Sequence, residues 1–195
     1  MHEHHSPEMP TPKIPDWPEG TIFTVGHSTL PLESFIGLLQ AYGIKRLADI
    51  RTIPRSRRNP QFNADTLPVE LAKQGIEYQP MPELGGLRHA RKDSPNMGWR
   101  NDSFRGYADY MQTAAFAEAV EILVKLGREK RTAIMCAEAV PWRCHRSLVA
   151  DALLVRDVPV VEILSATDWR PHKLTGFAAV DGFSVTYPPE QQSLL

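Results

Sequence analysis

"RTAIMCAEAVPWRCHRSLVADALLVRDVPVVEIL", residues Arg131 to Leu164, decides how the chain folds. "RTAIMCA" is a continuous apolar run of strand length, and "HRSLVADALLVR" sets Leu148, Val149, Ala152 and Leu153 on one helical face. "VPVVEIL" is a second apolar run rich in β-branched residues. Two fully apolar strands with a helix between them form a parallel pair, because a strand covered on both faces has no reason to alternate with polar residues.

Working outward, the same alternation repeats. "TIFTVG" predicts a strand. "PLESFIGLLQAY" carries Phe35, Leu38, Leu39 and Tyr42 at helical spacing, with Pro31 suited to a first turn and Gly43 to a stop. "IKRLADI" predicts a second strand, "ADTLPVELAKQG" a short helix closing at Gly75, and "IEYQPM" a third strand. Phe104, Tyr107, Met111, Ala115, Ile122 and Leu126 predict one long helix ended by Gly127. The expected fold is α/β: a three-layer sandwich with a mostly parallel sheet of about five strands and helices on both faces. Residues 1–18, polar and rich in His and Pro, read as a disordered arm in which His2, His4 and His5 could take up metal opportunistically. Residues 19–195 read as a single domain, irregular from about residue 165 apart from a hairpin around "VDGFSVTY".

With 42% apolar and 23% charged residues and a net charge of −1, the chain has the composition of a water-soluble domain. Neither a membrane nor a large polyanion is favoured as partner. No apolar run approaches the length of a spanning helix, and the N-terminus lacks an apolar signal region, so the expected location is cytoplasmic. There, two cysteines are too few for a disulfide framework and point instead to catalysis, metal binding or burial. Fifteen of the 22 basic residues are Arg, the side chain suited to gripping carboxylate or phosphate.

Open parallel sheets bind ligands beyond the carboxyl ends of their strands. Four segments deliver polar groups to that edge: "GHST" with His27; "DIRTIPRSRRNPQF" with Asp49, Arg51, Arg55, Arg57 and Arg58; "PELGGLRHARK" with Arg88, Arg91 and Lys92; and "CAEAVPWRCHR" with Cys136, Glu138, Arg143, Cys144, His145 and Arg146. Each has a bland reading as a turn, a solvated loop or a buried filler. Their convergence is what argues for a site.

Cys144 and His145 at a helix N-terminus favour an anion, either a thiolate or a bound phosphate, so Cys144 is expected as the reactive thiol and Cys136 as a neutral one. Three chemistries compete. A nucleophilic or redox thiol would pair Cys144 with His27 or His145. A zinc site would use Cys136, Cys144, His145 and His27, although this spacing matches none of the usual knuckles. A carboxylate mechanism would use Glu138 on a nucleotide-like ligand. Cys136 and Arg143 are separated by six residues where the phosphatase loop has five, so that homology is not read.

Taken together, "VGHST", "DIR", "PRSRRNPQF", "LGG" and the Cys-Ala-Glu and Cys-His-Arg triplets of "CAEAVPWRCHR" resemble the domain of unknown function 488 family over about Ile22 to Leu164. The resemblance implies a compact α/β domain in a cytoplasmic protein of bacterial type, with these motifs suspected of catalysis. It supplies no reaction.

The resulting expectation is a thiol- or carboxylate-dependent transferase or hydrolase acting on a small anionic, phosphorylated or nucleotide-like substrate. His27, Glu138, Cys144 and His145 would do the chemistry, and Arg51, Arg55, Arg57, Arg143 and Arg146 would bind the anion. The alternative is a non-catalytic nucleotide or nucleic-acid binder using Arg51 to Arg58 and Arg88 to Lys92, with Phe62 or Trp99 for stacking.

Overall fold

The five expected strand segments form β1 (Ile22–Gly26), β2 (Arg46–Asp49), β3 (Glu77–Pro80), β4 (Thr132–Cys136) and β5 (Val160–Ile163) in a computed structural model that describes residues 15–190. All five are parallel, and β6 (Trp169–Pro171) closes one edge antiparallel to β5, giving the order β3-β2-β4-β1-β5-β6. The sheet therefore has six strands, one more than periodicity alone delivers, because a three-residue edge strand is too short to show a period.

Alternation along the strands divides the core. Phe23, Val25, Leu47, Ala133, Met135, Val161 and Ile163 face α1 (Leu32–Ala41) and α2 (Leu67–Lys73). Ile22, Ala48, Ile134, Cys136 and Val160 face α3 (Asp102–Tyr110), α4 (Ala114–Glu129) and α5 (Arg146–Leu154). Helices thus cover both faces, as a parallel sheet requires.

The expected long helix is two. The chain breaks after Met111, and Thr113 caps α4 by accepting a hydrogen bond from the Phe116 amide through its side chain. The break shifts the helical phase, so Phe116, Ala119, Val120 and Leu123 are buried while Ile122 is 55% exposed. Gly127 does not end the helix. A Cβ there would collide with Ile22 Cδ1, so this glycine lets α4 lie close on β1.

Helix α5 departs from amphipathic expectation by burying Arg146 to Leu153 in full. The segment after β5 is the reason. Rather than an irregular extension, it supplies β6, the hairpin of β7 (Ala179–Asp181) and β8 (Ser184–Thr186), and the buried Tyr187, which together cover the outer side of α5. The turn of that hairpin holds Gly182 at φ 59°. At the other terminus, residues 1–14, including His2, His4 and His5, lie outside the described residues. Trp17, assigned to the arm by composition, packs edge-on against Phe23 and Trp169 at 5.0 and 5.3 Å and so belongs to the domain.

Candidate active site

Three of the four strand-end segments line one open cleft of about 510 Å³, and the segment after β1 does not reach it. Arg51, Thr52 and Ile53 after β2, Gly86 and Leu87 after β3, and Cys136, Ala137, Glu138, Cys144 and His145 after β4 line it, together with Ser103.

Arg146 organises the floor. It opens α5, is fully buried, and folds back beneath the loop that precedes it. Nη1 donates to Cys136 Sγ at 2.9 Å and to the Glu138 carbonyl at 2.5 Å, and Nη2 donates to the Ala139 carbonyl at 3.1 Å. Gly26 makes the passage possible, since a Cβ there would fall on the Glu138 oxygen and 2.6 Å from Arg146 Nη1. Among the described residues no carboxylate pairs with this guanidinium. A buried cation needs a counter-charge, and the ionisable group in contact with it is the Cys136 thiol.

Burial pushes the Cys136 thiol up; hydrogen bonding from Cys144, the Arg146 charge and a backbone contact at Glu138 outweigh it and bring it down to about 7. Cys144 moves the opposite way, raised by its hydrogen bond to Cys136 and by burial, so it keeps its proton. This reverses the assignment made from helix position. The Arg146 amide does reach Cys144 Sγ, but at 3.5 Å, and a helix terminus contributes about 0.3–2 kcal/mol. A guanidinium 2.9 Å from sulfur in a dry site outweighs it.

His145 Nε2 lies 3.2 Å from the Ile50 carbonyl and therefore carries the proton, leaving the Nδ1 lone pair 3.5 Å from Cys144 Sγ. Burial holds its basicity down to about 4, so the ring is neutral near pH 7. Gly86 packs against it, where a Cβ would come within 2.7 Å of Nδ1. The thiol of Cys144 thus stands between two acceptors, the Cys136 sulfur and His145 Nδ1.

His27 is gathered into the neighbourhood but not into the cleft. Its Nδ1 donates to the Ser28 carbonyl at 2.7 Å, Arg51 Nη1 approaches Nε2 at 3.4 Å, and the ring stacks on Phe62 at 4.3 Å. Desolvation lowers its pKa, and both ring nitrogens are engaged by protein groups. Arg51 forks onto Asp49 at 2.9 and 2.7 Å and reaches the Phe62 carbonyl at 2.6 Å; Tyr78 donates to the same carboxylate at 2.5 Å. The charge of Arg51 is largely spent within the protein.

The chain matches the family model described as "Domain of unknown function DUF488" over residues 31–153. It belongs to this family. The match spans α1 through most of α5, including the thiol loop, and begins after the "VGHST" segment. No curated protein and no solved structure matches the chain.

The remaining candidates separate from the cleft. Arg55, Arg57 and Arg143 are exposed and do not line it. Phe62 is buried and so unavailable for stacking. Among the described residues no group of three His, Cys, Asp or Glu is placed to hold a metal ion. With His27 committed to Ser28 and Arg51, the Cys136, Cys144, His145 and His27 set considered for zinc is not assembled.

A buried ionic cluster escaped the sequence reading altogether. His172 reaches Glu162 Oε1 at 2.7 Å through Nδ1 and Asp151 Oδ1 at 2.8 Å through Nε2. Asp151 also accepts from Thr175 and Tyr187, and Arg170 bonds Glu162. The partners lie 10 and 21 residues before His172, in β5 and α5, and no local motif marks them. The same region borders a second cleft, separate from the thiols.

Proposed function

We propose that this protein is an enzyme, a thiol-dependent transferase or hydrolase acting on a small anionic substrate. The observation that carries the reading is the fully buried Arg146 whose counter-charge falls on Cys136 at the floor of an open cleft. Cys136 thiolate forms the bond to the electrophilic atom of the substrate. The departing group takes the proton of Cys144, which sits between Cys136 and His145 Nδ1. The N-terminus of α5 favours negative charge on the ligand, and the exposed Glu138 at the rim is placed to handle a proton or a water. Among the described residues no helix is long and apolar enough to cross a membrane. A reducing cytoplasm suits two thiols that must stay unbridged.

Site-resolved alkylation by iodoacetamide across pH 5 to 9 tests this. Cys136 is expected to label with a midpoint near 7, with phosphate or sulfate slowing it, while Cys144 lags. If both thiols instead label with the midpoint of about 8.5 of an ordinary cysteine, the nucleophile is lost and Glu138 becomes the group to examine.

A further inference from the structure

A cleft of about 540 Å³ lies near α5 and β6, apart from the thiol cleft, and its wall combines Trp99 and Trp142 with Arg170, His172 and Lys173. That volume is in the range of small-molecule sites. The charges there are unequally spent. Glu162 is occupied by His172 and by Nε of Arg170. Among the described residues, the two terminal nitrogens of Arg170 and the Lys173 ammonium have no protein partner. Arg170 is 46% exposed at its side chain, and its guanidinium carbon stands 4.8 Å from the Trp142 ring. Trp142 is itself 57% exposed, an unusual state for the largest apolar side chain.

From this we infer a second binding site, which takes a planar aromatic ring carrying an anionic group, of the chemical class of a nucleoside monophosphate. The free fork of Arg170 with Lys173 grips the phosphate, and an anion held there lies beside the indole of Trp142, against which the base stacks. Glu162 carries no spare charge to repel it. The site does not depend on the thiol reading. Because Trp142 sits in the single turn Pro141–Arg143 immediately before Cys144, a ligand stacked on it would also brace the thiol loop.

The test is a titration of tryptophan fluorescence with AMP, with adenosine and inorganic phosphate as partial ligands and a short single-stranded oligonucleotide as a separate arm. AMP should quench saturably and bind more tightly than either part. Trp142→Ala should weaken it about five- to a hundredfold, the loss of one base–indole stack. Lys173→Ala should weaken it and flatten its salt dependence. Both residues are exposed, so the variants should melt with the wild type. Competition by the oligonucleotide would identify a strand as the source of the nucleotide, and its failure to compete would identify the free nucleotide. Cys136→Ser should leave AMP affinity unchanged, which separates this result from the thiol proposal. Absence of saturable quenching, or an affinity indifferent to Trp142→Ala, would overturn the inference.

Discussion

The thiol cleft and the His172 cluster both enclose a cation, and they neutralise it by opposite means. At His172 the imidazole meets two buried carboxylates, each held by further donors: Thr175 and Tyr187 on Asp151, Arg170 on Glu162. The two carboxylates are balanced by His172 and Arg170 together. At Arg146 the guanidinium rests on two backbone carbonyls and a sulfur, and the counter-charge depends on the protonation of Cys136. One arrangement is saturated and fastens the C-terminal segment to α5. The other leaves a thiol of lowered pKa on the wall of an open cleft. Polar saturation separates scaffold from chemistry more sharply than residue type does, since both places contain the Cys, His, Asp or Glu that a search for sites would collect.

Removing Arg146 should produce the largest effect. Arg146→Met strands the Glu138 and Ala139 carbonyls and withdraws the counter-charge of the thiolate. Breaking a buried charged contact of this kind costs about 3–5 kcal/mol, measurable by denaturant unfolding. In the fraction that remains folded, alkylation of Cys136 should require higher pH, because burial then acts on the thiol without its cation. A variant that unfolds normally but retains a low-pH thiolate would show that the charge comes from elsewhere.

Next in size is the saturated cluster. Asp151→Asn should cost about 1.5–3 kcal/mol, the value of hydrogen bonds to a charged group. It should also change the pH dependence of stability. Desolvation lowers the His172 pKa, but hydrogen bonds and charge from Asp151 and Glu162 overcome it and raise it from 6.5 to about 9. A folded pKa above the unfolded one contributes stability that is complete below pH 6.5 and is lost as pH rises through about 9. Wild-type stability should decline across that window, and Asp151→Asn should flatten the decline. An unchanged slope would mean that His172 is not the titrating group.

Neither the Arg146 contact nor the His172 cluster is legible in the sequence, for reasons that differ by region. Strand and helix order from β1 to β5 is legible because apolar runs and helical spacing are local, and the meeting of three strand-end segments at one cleft follows from parallel topology. The charge on Cys136 is not legible. Arg146 is ten residues away, and nothing in "CAEAVPWRCHR" reveals that its side chain turns back under the loop, whereas helix position, which is visible, points to Cys144. The fused reading of α3 and α4 failed because a periodic pattern carries no record of a phase break, although Thr113 before Ala114 and Ala115 is a recognisable cap. The His172 cluster was hidden by distance along the chain.

Arg51 lies between the two regimes, saturated by Asp49 yet bordering the cleft. Arg51→Lys keeps the charge and loses the fork onto Asp49 and the reach to the Phe62 carbonyl. The cost should be about 1–3 kcal/mol, that of leaving buried polar groups unsatisfied, with alkylation of Cys136 little changed because Arg146, not Arg51, sets its charge. A large rise in the Cys136 midpoint would move Arg51 from scaffold to chemistry.

The smallest effect should come from the arginines that looked most like an anion seat. Arg55 and Arg57 are exposed, outside the cleft, and without a side-chain partner among the described residues. Replacing both by Ala should alter stability by no more than about 0.5 kcal/mol, as for exposed positions away from caps and networks. It should leave the Cys136 alkylation profile and its protection by phosphate unchanged. A basic run draws attention in a sequence because its charge is unneutralised there, but the same is true of any solvated loop. Charge counts at a site only when the fold restricts what can neutralise it, as burial does for Arg146 and as water does not for Arg55 and Arg57. If the double variant abolished phosphate protection, the loop would have to fold over the cleft when ligand is bound, and Arg55 and Arg57 would be solvated bystanders only in the unliganded protein.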